Sequence, residues 1–213
     1  MIRKRTGIPL ILAAALVASL AGCSTTPEGS APAEESLTPS AIEDSTSPTP
    51  TDPPVSADDQ DPADPTTWVI DHGAVGLIAL GDDYADTVGR LGDGWSETCE
   101  GLTAWGEPDL QLYFVAGADG AIETISVEGV IGDPSGGPRT PDGIGLGSTR
   151  DEVRAAYPTV EEVTPSIGDG TYLRLNVDDS GDGGRFFEFP AGDDRVAAIT
   201  LTTRDEPPYE PCA

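Results

Sequence analysis

Apolar positions along the chain fall into three regimes. Ile8 to Leu20 is one uncharged apolar run, large apolar side chains nearly vanish from Ser24 to Thr66, and from residue 67 to 213 they return in short clusters. Within the last regime two segments open alike. Leu80-Gly81-Asp82-Asp83 followed by Asp86 matches Leu146-Gly147-Ser148-Thr149 followed by Glu152, 66 positions further on. Thr149 and Glu152 have the spacing of a capping box, in which the hydroxyl accepts from a free backbone amide and the carboxylate accepts from the amide of the cap. Asp83 with Asp86 is a weaker version of the same device. Apolar residues recurring every three or four positions then predict helices through Val88 and Leu91, and through Val153, Ala156 and Tyr157, the second ended by Pro158.

Short alternating runs follow each helix. Strands are predicted near Glu100 to Trp105, Leu110 to Ala116 and Ile122 to Val127, with Ala118-Asp119-Gly120 as a hairpin turn. The second set is Tyr172 to Val177, Arg185 to Phe189 and Val196 to Thr202, with Gly192-Asp193-Asp194 turning. The final hairpins correspond at an offset of 74, and the eight extra residues are placed around the Asp178 to Gly184 loop. The expectation is an α+β domain made of a tandem repeat of helix plus three-stranded antiparallel sheet, repeat 1 about 67–135 and repeat 2 about 136–213. All three tryptophans, four phenylalanines and five tyrosines lie in this region, the material of a core.

Arg3, Lys4 and Arg5 precede the apolar run, and Ala21 and Gly22 close it, the layout of a signal peptide over residues 1–22. Thirteen residues fall short of the ~20 that a membrane-crossing helix needs. Leu20-Ala21-Gly22-Cys23 resembles the lipobox of bacterial lipoproteins. The resemblance implies that the Cys23 thiol receives a diacylglycerol and that Cys23 becomes the new N-terminus, held at the extracytoplasmic face of a cell membrane. Two acyl chains anchor stably where one is marginal.

Without residues 1–22 the chain carries 8 basic residues against 38 acidic ones, a formal charge of −30, and no lysine. Such a charge repels nucleic-acid phosphates and anionic head groups, which sets nucleic acid aside as a partner. Ten of the acidic residues lie before residue 67, in a segment of Ser, Thr, Pro, Ala, Asp and Glu that cannot bury enough surface to offset its ordering entropy. Residues 23–66 are therefore read as a lipidated, disordered tether, with a reach of roughly 35 Å as a flexible coil.

Gly143-Ile144-Gly145-Leu146-Gly147-Ser148-Thr149-Arg150-Asp151-Glu152-Val153 resembles the helix opening of domains shaped like beta-lactamase inhibitor protein and of small envelope-assembly lipoproteins. The resemblance implies paired helix-and-sheet units whose combined sheet surface grips another protein. The chain departs from the inhibitor's pattern in lacking a disulfide within each unit.

With Cys23 assigned to lipid, Cys99 and Cys212 remain in an oxidising compartment, where a disulfide between them is the economical expectation. It would tie down the Pro-rich tail Pro207-Pro208-Tyr209-Glu210-Pro211. A redox role is the rival, but no Cys-x-x-Cys supports it. His72 is the only histidine, which leaves no zinc set and only one route to a Ser-His-Asp arrangement. Nucleotide chemistry lacks its Gly-rich loop and lysine. Among 28 acidic residues after position 66, nothing in the sequence singles out a carboxylate pair for glycoside cleavage. Trp95 and Trp105 could stack on a sugar ring, though their spacing also fits core positions. Asp178, Ser180 and Asp182 with Gly183 match half a calcium loop, but Phe189 stands where a bidentate Glu is required, so an acidic hairpin is the better description.

These observations predict a non-enzymatic, cofactor-free envelope lipoprotein, bound to the membrane through its lipid and to another envelope protein through its sheet. The alternative is a module binding a small ligand or cell-wall glycan, and an acid-base hydrolase is the third possibility.

Overall fold

The computed structural model describes residues 60–129, 136–176 and 183–212. The signal peptide, Cys23, the tether up to residue 59, and residues 178–182 of the half calcium loop lie outside the described residues.

The described chain packs from its first residue. Gln60 Oε1 accepts from the Val69 amide at 2.8 Å, and the Trp68 indole donates to the Asp61 carbonyl at 2.7 Å, around a single 3-10 turn over Pro65–Thr67. Strands β1 (Ala74–Val75) and β2 (Ile78–Ala79) then form a small hairpin turned by Gly76 and Leu77. Gly76 has φ +58°, and a Cβ there would lie 2.1 Å from the Trp68 ring. Only glycine lets the buried indole sit beneath the turn.

Helix α1 (Tyr84–Arg90) is capped by Asp83, whose carboxylate accepts from the Asp86 amide at 2.9 Å. Strands β3 (Ser96–Cys99), β4 (Leu102–Glu107), β5 (Leu110–Ala116) and β6 (Ile122–Gly129) follow. Helix α2 (Arg150–Ala156) opens on the reciprocal Thr149–Glu152 box and leads into β7 (Glu161–Val163), β8 (Thr171–Leu175), β9 (Gly184–Phe189) and β10 (Ala198–Thr202). All eight strands make one antiparallel sheet, ordered β3-β4-β5-β6-β10-β9-β8-β7, with β6 and β10 paired at its centre. Equivalent bonds hold the segment before each helix to the sheet. Gly81 and Asp82 exchange hydrogen bonds with Ile122 at 2.8 Å, and Gly147 and Ser148 do so with Val196 at 2.9 Å.

This corrects the expected fold class. Among the described residues the chain is sheet-dominated, with two α-helices of seven residues, rather than an α+β repeat of helix plus three-stranded sheet. β3 and β7 go unpredicted because Ser96–Cys99 and Glu161–Val163 are largely exposed edge strands with no apolar alternation to show them. A second correction concerns α1, which turns Thr87 inward and leaves Val88 39% exposed, while Leu91 is already its C-cap.

Register divides the side chains into two faces. Leu112, Phe114, Ile125, Val127, Ile199 and Phe187 occupy the first, in the main core with Trp68 and Val153. Arg185 is buried on the same face, donating to the Asp71 carbonyl at 2.6 Å, and desolvation lowers its pKa. The second face carries hydroxyl pairs at the centre, Ser126 with Thr200 and Thr124 with Thr202, each 2.9 Å apart.

Candidate functional site

The second face is roofed in part by two irregular segments. After β10 the tail crosses it and ends at Cys212, which is bonded to Cys99 at the end of β3, with Cα atoms 6.0 Å apart. The loop between β7 and β8 meets this tail where the Ser166 amide donates to Glu206 at 3.0 Å. Between sheet, loop and tail lies a groove of about 520 Å³. Pro207, Pro208 and Pro211 form part of its wall, and Ile167 and Tyr209 stand at it 57% and 66% exposed.

Strand register builds the groove's polar interior. Ala198 of β10 lies opposite Glu128 of β6 on one side and Glu188 of β9 on the other. The two glutamates therefore project from one face, about 10 Å apart at Cα, two strand spacings, with only a methyl group between them. Tyr113 lies on β5 opposite Ser126, and Tyr172 on β8 opposite Glu188; both rings line the groove. Ser126 Oγ donates to Glu128 at 3.2 Å, and Tyr113, opposite Ser126 in the register, lies beside both.

The electrostatics follow from this placement. Burial raises the Glu188 carboxyl above its ordinary range, and the charge of Glu128 adds to the shift. Desolvation pushes the Tyr172 phenol up to about 12, with Glu188, Glu206 and Glu128 contributing. Tyr113 is raised more strongly, again chiefly by burial and then by Glu128. At neutral pH both phenols are neutral and can donate to the glutamates beside them.

The residues singled out in the sequence lie elsewhere, apart from the cysteine pair. Cys99 and Cys212 are joined, and Cys212 lines the groove. His72 is exposed, its Nδ1 2.7 Å from Asp71 Oδ1, and this hydrogen bond lowers the Asp71 pKa. Trp95 stacks on Trp68 with centroids 5.9 Å apart, and Trp105 is buried in the same core, so neither offers a face to the groove. Gly183, at the end of the half calcium loop, has φ +75°, and a Cβ there would meet the Thr202 carbonyl at 2.2 Å. No group of three or more His, Cys, Asp or Glu side chains suited to a metal ion occurs among the described residues. Nor is any helix among them long and apolar enough to cross a membrane. Sequence reasoning passed over Glu128, Glu188, Tyr113 and Tyr172. Their one signal was position, since each alternates with core residues along its strand.

No protein-family model matches the chain, and no curated protein does. Among solved structures it is similar to a DUF4309 family protein, YjgB, from Bacillus subtilis, with 15% identity and a TM-score of 0.39 over 60% of this chain and 82% of that one. It is also similar to an extracellular protein containing an SCP domain from Bacillus anthracis, with 14% identity and a TM-score of 0.33 over 58% of this chain and 43% of that one. At these scores neither assigns a shared fold or function.

Proposed function

We propose that the chain is an exported, lipid-anchored, non-enzymatic binding module of the cell envelope, and that the groove beneath its C-terminal strap is the ligand site. The groove carries this reading. Its volume, about 520 Å³, falls within the ~300–1,000 Å³ span of small-ligand pockets. A broad protein-gripping sheet surface has less support, because one face packs into the core and the strap and loop cross the other. This favours the small-ligand alternative over the adaptor, with tyrosines taking the place first considered for tryptophans.

Export and anchoring rest on the basic, apolar and small-residue order ending at Cys23, and the Cys99–Cys212 bond suits the oxidising compartment it leads to. Cys23→Ala is expected to shift the protein from the membrane fraction to the medium or to stall its maturation; a variant that stays membrane-bound and processed overturns the anchor. For the groove, Gln111→Trp places a large ring at an exposed lining position without touching the core. A thermal-shift screen of amines, sugars and short peptides against the full mature chain should yield stabilising compounds that this variant no longer binds. Compounds that stabilise both proteins equally would place the site elsewhere.

A further inference from the structure

Resting on the groove as the binding site, we propose that its ligand is a small organic cation whose ammonium or guanidinium group sits between Glu128 and Glu188, against the rings of Tyr113 and Tyr172.

Register makes the first argument. Both carboxylates flank Ala198, whose short side chain leaves the space between them unfilled. A group of guanidinium size can bridge two carboxylates set this way, each accepting charge-assisted hydrogen bonds. The second argument is the lack of an internal counterion. The ion pairs among the described residues use the carboxylates of Asp71, Asp82, Glu123 and Glu162, and neither Glu128 nor Glu188 joins one. Two partly buried glutamates stand on one face without a cation supplied by these contacts, and a bound cation offsets the burial of Glu188 and its repulsion by Glu128.

The walls fit the same chemistry. Tyrosine faces attract cations, most strongly where water is partly removed. Ile167 and Tyr209, two of the three exposed large apolar side chains among the described residues, both stand at this groove, placed to cover a ligand's hydrocarbon part. The mature chain's −30 charge draws cations from a distance. A single hard metal ion fits less well, because it needs six to eight oxygens, and no group of three or more His, Cys, Asp or Glu side chains among the described residues is suited to hold one.

Titration calorimetry on the full mature chain tests the proposal with agmatine, putrescine and arginine as cations. Citrulline serves as the neutral counterpart of arginine, N-acetylglucosamine as a neutral sugar, and a short oligo-arginine peptide as a macromolecular cation. Agmatine and putrescine are expected to bind, arginine at least roughly ten-fold more tightly than citrulline, and E128Q and E188Q each to weaken the cations roughly ten-fold, as loss of one charged hydrogen bond implies. Circular dichroism of both variants confirms that they remain folded, and Gln111→Trp should abolish binding. If the sugar binds, is lost in Gln111→Trp and outcompetes every amine, the cation is overturned while the groove stands. If only the peptide binds, the small-ligand assignment fails. If no probe binds, or binding ignores both glutamates, the proposal is wrong.

Discussion

Glu188 shows how one position can serve binding at the expense of the fold. Its carboxyl holds a proton more tightly in the folded chain than in the unfolded one, where the ordinary value is 4.5. Between that value and its raised one the folded state carries protons that the unfolded state has released, so this group's contribution to stability falls as pH rises through the window. Glu188→Gln is therefore expected to raise stability at pH 7, by less than ~1 kcal/mol because partial exposure screens the charge, and the gain should vanish below about pH 4.5. Urea unfolding of both proteins at the two pH values checks it; a loss of stability at pH 7 would show that the ionised carboxylate has a partner. Asp71 acts in the opposite sense, since its hydrogen bond from His72 lowers its pKa and is lost as pH falls. Nothing about Glu188 stands out in the sequence, where it is one of 38 acidic residues. Its neighbour across the sheet lies 60 positions away, and only the strand register brings the two together.

Among the elements, the helices were the most legible and the edge strands the least. Capping is local chemistry, decided within four residues. Glu152 Oε2 accepts from the Thr149 amide at 2.7 Å, and the Glu152 amide donates back to Thr149 Oγ1 at 3.2 Å. Thr149→Ala should cost about 1 kcal/mol, read as a lower urea midpoint with unchanged slope. An unaffected midpoint would mean that α2 is held by its packing alone. The inner strands were legible too, and β5 runs from Leu110 to Ala116 as its alternation predicted. The sequence was misread where no pattern exists. β3 and β7 are recruited by their neighbours, and their carboxylates Glu97, Glu161 and Glu162 guard the sheet edges against further pairing. α1 was misread for a related reason. Val88 suited an inward position by character, but the chain's entry from Asp83 turns Thr87 to the core.

For the molecule as a whole, the Cys99–Cys212 bond spans 113 residues and fastens the last part of the chain over the sheet. In the chain-entropy account, loops of this length give about 4–5 kcal/mol, with measured values scattering below. The double variant Cys99→Ser, Cys212→Ser should lose about 2–5 kcal/mol and free the strap. Limited proteolysis would then cut near Tyr209 in the variant and spare the wild type. Equal resistance would mean that Ser166–Glu206 and the proline contacts suffice.

What the sequence determined by itself was local or compositional. From it came the expectation of export and a lipid anchor, together with the acidic charge, the helix caps, and the inner strands whose alternation marks a core-facing side. A pairing of the last two cysteines could also be expected from their number and compartment. What only the tertiary structure decided was non-local: one eight-stranded sheet instead of two small ones, the edge strands, and the groove. Its glutamates and tyrosines come from β5, β6, β8 and β9, spread between residues 113 and 188. Alternation tells which residues share a face within a strand, but the face becomes a site only when strand order and register are set by packing across the sheet.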